Sequence, residues 1–169
     1  FGENAKKAAE LFDKAYTQKN PLEKLVLTRV FRIPSKDLAK LHAKKNKAPA
    51  YLYEFTLEFP YQHGKMAWHC SDIPFVFHNT HRVEISNIPG VSDKLEKQIF
   101  QAVIEFARKG DPNHDGLPKW QPVTLEDEPT MIFDRKCEVG HNFDDDLLKL
   151  LEEILPPFNL AAMMQDMEH

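Results

Sequence analysis

Apolar positions recur along this chain with two periods, and the change from one to the other marks its organisation. From Asn4 to Tyr16, the residues Ala5, Ala8, Ala9, Phe12, Ala15 and Tyr16 fall at helical spacing with Lys and Glu on the other side, which predicts an amphipathic helix. Asn20-Pro21-Leu22-Glu23 then sets a cap residue, a first-turn proline and a third-position glutamate in order, predicting a second helix to about Phe31. Pro34 is expected to stop it, and Ser35 to cap a third, lysine-rich helix ending near Lys45. Between Ala50 and Phe59 the period falls to two. Tyr51, Tyr53, Phe55, Leu57 and Phe59 point one way and Leu52, Glu54, Thr56 and Glu58 the other, the signature of a strand. Pro60 ends it, because proline cannot donate to a ladder.

Further along, Ile73-Pro74-Phe75-Val76-Phe77 is too short and too proline-marked to assign to helix or strand, and reads as filling an apolar gap. Ser92 or Asp93 is expected to cap the strongest helix, whose wide apolar face holds Leu95, Ile99, Phe100, Ala102, Val103, Phe106 and Ala107. Gly110 followed by Asp111-Pro112 terminates it. Residues 111–129, punctuated by Pro112, Pro118, Pro122 and Pro129, predict a surface loop. Thr130 to Asp134 predicts a short strand. Asp144 to Leu155 predicts a last helix with acidic residues at its N-terminal end, where the helix dipole favours them. Five helices against two clear strands leave no self-contained sheet, since a two-stranded pairing is marginal without neighbours. The pattern predicts the edge of a larger α/β sheet.

Composition narrows the partners. The 169 residues are 42% hydrophobic with a net charge of -4, and Lys and Arg are scattered among Asp and Glu. No basic face is left for phosphate or anionic lipid, so neither nucleic acid nor a membrane is an expected partner. No apolar run approaches the roughly 20 residues of a bilayer span, and nothing at the start reads as a signal peptide. A soluble chain is expected, with the cytoplasm the favoured compartment. Because it begins at Phe1 and runs straight into a helical pattern, an excised segment of a longer protein is expected too.

Four blocks carry a resemblance. His69-Cys70-Ser71-Asp72-Ile73-Pro74-Phe75-Val76-Phe77, then Phe106-Ala107-Arg108-Lys109-Gly110-Asp111-Pro112-Asn113, Leu117-Pro118-Lys119-Trp120-Gln121-Pro122 and Thr130-Met131-Ile132-Phe133-Asp134 stand in that order. Together they resemble the C-terminal part of type-B carboxylesterases, the para-nitrobenzyl esterase and cholinesterase relatives within the α/β-hydrolase fold. The resemblance implies an α/β fold class: the C-terminal part of an α/β-hydrolase, mostly helical, with two or three strands from the edge of the parent sheet. It is expected to form a single segment of that larger domain, with a lid-like helical part over 1–47, the histidine loop, long helix and last strands over 48–157, and a tail over 158–169.

The resemblance also implies roles. His69 falls at the family's catalytic histidine, which takes the proton of a serine hydroxyl during acylation and returns it to the leaving alcohol. Asp72 falls at a position usually acidic and is expected to support at most. His78 stands where the family commonly has glycine. The nucleophilic serine would sit on a G-x-S-x-G elbow earlier in the chain, and the glycines here, at 2, 64, 90, 110, 116 and 140, permit no such motif. A parent acting on a small ester substrate is therefore expected, with this chain supplying the histidine, needing the missing N-terminal part and inactive alone. Cut from that parent, its open strand would favour self-association. The competing expectation is a non-catalytic esterase-like module for binding or assembly.

Other signals have plainer explanations. Asp111-Pro112-Asn113-His114-Asp115-Gly116 fits the first half of an EF-hand calcium loop, but Pro122 stands where its bidentate glutamate belongs. His63, His69, His78 and His81 lie close in sequence without a spacing that fixes two imidazoles on one side of a helix. Cys70 and Cys137 lack zinc-ligand spacing, and no metal or cofactor is expected. Lys36, Lys40, Lys44, Lys45 and Lys47 read as a solvated helix face.

Overall fold

Three strands form the only sheet among the described residues, in the order β1 (Leu52–Phe55), β2 (Pro129–Phe133), β3 (Glu138–His141). The computed structural model describes residues 1–16, 28–45, 47–61 and 63–155. The chain divides into two units, Ser35–Phe143 and the segments Phe1–Pro34 with Asp144–His169. β1 runs parallel to β2, with Leu52 opposite Thr130 and Phe55 opposite Phe133. β2 and β3 are antiparallel, with Met131 opposite Val139. Thr56 N–H adds one more ladder bond, to Phe133 O at 2.9 Å. The paired strand is thus shorter than the alternation from Ala50 to Phe59 predicts, and Phe59 turns off to form an isolated bridge with Lys65.

In the larger unit both faces of the sheet are covered. On one, Met131 and Phe133 of β2 join Leu57, Phe59 and Phe75 in a core closed by Leu95 and Ile99 of the long helix. On the other, Leu52 packs with Ala39 and Val123, beside Ala43. Leu52 is therefore buried rather than on a polar face. The strand alternates between two unlike apolar surroundings, which is how a partly parallel sheet hides both sides.

Helices α1 (Ala5–Ala15) and α4 (Ser92–Lys109) follow the predicted periodicity. The predicted helix from Asn20 falls largely outside the described residues, and its described end, Thr28–Arg32, is π-helical. Pro34 does not stop the chain's helical course: α2 (Ile33–Lys45) begins one residue before it. A proline in the first turn lacks only an N–H that has no partner there, and the widened π turn stands where its ring would meet the preceding carbonyl. Within α2, Lys36 is not solvated. It is buried, and its Nζ lies 2.6 Å from the buried Glu128 carboxylate, which also accepts from the Thr130 hydroxyl at 2.8 Å.

Ile73–Val76 is a single helical turn, α3, of which Phe75 alone is fully buried; Ile73 and Phe77 are exposed. Val91, not Ser92 or Asp93, holds the N-cap position of α4. Ser92 instead staples the preceding loop, accepting from Ile88 N–H at 2.9 Å and donating to Ser86 O. Gly110 closes α4 at φ 73°, a left-handed position natural to glycine, with its N–H on Phe106 O. In the other unit α1 packs on α5 (Asp145–Ile154), burying Phe12 with Leu147 and Leu151. There the buried Asp144 accepts from Arg32 Nε and Nη2, both at 2.9 Å, and from the Tyr16 hydroxyl at 2.8 Å.

Candidate active site

His69 is presented on a tight corner. After the Phe59–Lys65 bridge the chain sinks Met66 into the interior and lays the Trp68 ring 4.8 Å from that of Phe59. Ser71 N–H then donates to Trp68 O at 3.0 Å, and Cys70 takes φ 69°. A positive φ at the third residue of a hydrogen-bonded four-residue turn is the type II pattern. His69 is its second residue, with an exposed side chain. The half-buried Trp68 before it, packed on Phe59, and the buried Ser71 after it leave the imidazole exposed on a held backbone.

Asp72, three residues on, accepts a hydrogen bond from the Tyr53 hydroxyl at 2.7 Å. Tyr53 stands in β1, so the carboxylate ties the start of α3 to the sheet. Burial first, then the charge of Asp72 and the hydrogen bond to it, push the Tyr53 phenol above its ordinary pKa. At the far end of α3, Glu96 of α4 accepts from Thr80 N–H and from the Thr80 hydroxyl, both at 3.0 Å, and lies 3.3 Å from His78 Nδ1. Neither Tyr53 nor Glu96 stands out in the sequence as a site residue. The available signal for Glu96 was a carboxylate beside Leu95 and four residues before Phe100, inside the apolar stripe of the helix.

Side-chain hydrogen bonds hold the loop after α4. Asn113 Nδ2 donates to Trp120 O at 2.8 Å and Trp120 N–H to Asn113 Oδ1 at 2.7 Å. Asp111 Oδ1 accepts from the Asn113 backbone and side-chain nitrogens at 2.9 and 2.6 Å. Hydrogen bonds from Asn113, side chain before backbone, hold the Asp111 carboxyl below its ordinary range. His114 lies 3.0 Å from Gln98 O and accepts from Gly116 N–H. Among the described residues no group of three His, Cys, Asp or Glu is placed to hold a metal, and no helix is long and apolar enough to cross a membrane. Cys70 is exposed, Cys137 is buried, and both are free thiols. Between β1 and the C-terminal half of α4 lies an apolar cleft of about 180 Å³, lined by Tyr51, Tyr53, Val103, Phe106 and Trp120.

A profile of the Carboxylesterase family matches residues 5–149. This chain belongs to the carboxylesterase family. An esterase from Clostridium hathewayi that can hydrolyse aliphatic aromatic polyesters is 51% identical, with a TM-score of 0.82 over 90% of this chain and 30% of that one. Acylcarnitine hydrolase of Mus musculus is 32% identical over 75% of this chain and 23% of its own length. Phenmedipham hydrolase of Pseudarthrobacter oxydans is 33% identical over 59% of this chain and 22% of its own. This chain thus spans about a quarter of the curated relatives it matches. The three strands among the described residues and their flanking helices are a partial α/β-hydrolase fold.

Proposed function

We propose that this chain supplies the general base and acid of a serine carboxylesterase, with His69 as the catalytic imidazole. The observation that carries the reading is the presentation of His69: an exposed ring on a type II corner, just before the short helix α3, in a chain of esterase family. A ring so placed can relay a proton between a serine hydroxyl and a leaving alcohol without backbone rearrangement. Asp72 supports it through Tyr53, by fixing the segment that follows the histidine.

The serine, the triad acid and most of the oxyanion donors are assigned to polypeptide outside these residues. An imidazole without them has neither an activated nucleophile nor preorganised stabilisation of the tetrahedral oxyanion, so the chain alone is expected to be silent. The half-exposed Val103 and Phe106 and the outer edge of β1 are surfaces that the rest of the enzyme would cover. Left uncovered, they favour self-association, which light scattering on the isolated chain would reveal as a mass above that of a monomer. Carboxylic esters are the substrate class, and aliphatic aromatic polyesters belong in the panel because the 51% identical esterase can hydrolyse them.

The test is hydrolysis of p-nitrophenyl butyrate by the full-length enzyme, by its His69→Ala variant and by this chain alone. An active enzyme, a dead variant and a silent chain are expected. A variant that keeps its activity would remove His69 from the mechanism. A silent full-length enzyme would favour a non-catalytic binding module.

A further inference from the structure

The backbone at His78 adopts a conformation that its side chain does not favour. α3 ends in a Schellman arrangement, with Asn79 N–H donating to Pro74 O at 2.9 Å and His78 N–H approaching Phe75 O at 3.4 Å. The residue between the helix and Asn79 must be left-handed, and His78 takes φ 54° where glycine commonly serves. A Cβ in that region crowds its own backbone. Two side chains of α4 hold the imidazole there. Glu96 Oε1 lies 3.3 Å from Nδ1, and the Phe100 ring stacks on it with centroids 5.1 Å apart and planes 22° apart. Glu96 and Phe100 are four residues apart and so share one helix face.

Glu96 is 4% exposed. A carboxylate at that depth needs donors, and those described for it all come from residues 78–80: the Thr80 amide, the Thr80 hydroxyl and the His78 ring. We infer that His78 and Glu96 are a positioning pair for His69, and this rests on the reading of His69 as the catalytic imidazole. The intervening chain transmits the constraint. Phe77 N–H bonds Ile73 O, Phe75 and Val76 N–H bond Asp72 O, and Ile73 N–H bonds Cys70 O, the residue next to His69. With Asp72 tied to Tyr53 at one end of α3 and His78 and Thr80 tied to Glu96 at the other, the turn carrying His69 is anchored to both β1 and α4.

Alanine and glycine at position 78 separate this role from any chemistry of the ring, because both lack an imidazole. In the full-length enzyme His78→Ala should lower kcat about tenfold with KM unchanged, since a Cβ stays in the left-handed region without support, whereas His78→Gly should stay within about twofold of the parent. In this chain, the His69 ring resonances in long-range ¹H–¹⁵N spectra should shift in His78→Ala and return in His78→Gly, a readout that needs no turnover. Should the alanine variant unfold, Glu96→Gln carries the test. It retains acceptor and donor atoms for Thr80 but loses the charge facing the imidazole, and its shift of the His69 resonances should be reversed by adding His78→Gly. Alanine and glycine behaving alike, or no reversal in the double variant, overturns the positioning pair. A silent full-length enzyme with the spectral differences intact would sink the catalytic reading and leave the pair standing.

Discussion

The Tyr53 hydroxyl donates to Asp72 Oδ2 at 2.7 Å, joining the middle of β1 to the residue that opens α3. Burial and the neighbouring carboxylate raise the phenol above its ordinary pKa of 10.0. A group raised in the folded state stabilises the fold fully below its unfolded pKa, and that contribution is lost as pH rises through the folded value. Urea midpoints should therefore fall as pH is raised past about 10, and Tyr53→Phe should remove part of that slope. Absorbance titration of the phenols checks the assignment: one late-ionising tyrosine should vanish in the variant.

Asn113 and Trp120 exchange two hydrogen bonds across the loop that follows α4. Asn113→Ala should cost about 1–3 kcal/mol, because it strips partners from half-buried backbone groups and from Asp111. The Asp111 carboxyl, held below its ordinary 3.8 chiefly by Asn113, should titrate higher in the variant. A depressed carboxyl contributes stability above its unfolded pKa and loses it as pH falls through the folded value. Carboxyl carbon shifts followed by NMR between about pH 2 and 6 would show both effects.

Asp144 gathers Arg32 and Tyr16 with a side chain that is fully buried. Asp144→Ala strips two charge-assisted hydrogen bonds from the buried Arg32 guanidinium, at a cost of about 3–5 kcal/mol. The smaller unit should lose the dispersed methyl signals of Leu147 and Leu151, whereas those of Leu95 and Ile99 in the larger unit remain. Simultaneous loss of both sets would mean that the two units melt together.

Cys70 occupies the turn position that wants a positive φ, and holds 69°. Cys70→Gly should raise stability by about 1 kcal/mol, as the relief of a left-handed Cβ exceeds the added freedom of the unfolded chain. A melting temperature that drops instead would show that the thiol contributes more than its backbone strain costs.

Legibility in the sequence followed the strength of the period. Long apolar stripes predicted α1, α4 and α5 to within a residue or two at each end, and five alternating apolar residues, four of them aromatic, located β1. β3 escaped because Glu138-Val139-Gly140-His141 has neither alternation nor strand-forming bulk. It is a strand because Gly140, opposite Thr130, leaves room for the Phe143 ring, which an added Cβ would meet at 2.7 Å. Alternation sets Leu52 on the side of Glu54, Thr56 and Glu58 because a period of two cannot tell a solvated side from a second buried one. Lys36 reads as solvated in the sequence because nothing local announces Glu128, 92 positions away. For the candidate site, His69 stood out through its surrounding block alone. The residues that hold its loop, Tyr53 and Glu96, act across distances in sequence that periodicity does not see.

The parallel pairing of β1 with β2 also sets an order of events. Thr56 on the β1 side reaches Asp134 on the β2 side across 78 positions of chain, at 2.8 Å. The histidine turn, α3 and α4 all lie inside that closure, so the sheet cannot zip until a long, helix-bearing excursion has returned. Contacts of such separation form late and slowly. In refolding from denaturant, helical signal should recover before the His69 turn acquires its native environment, making the corner that carries His69 one of the last parts of the chain to be ready.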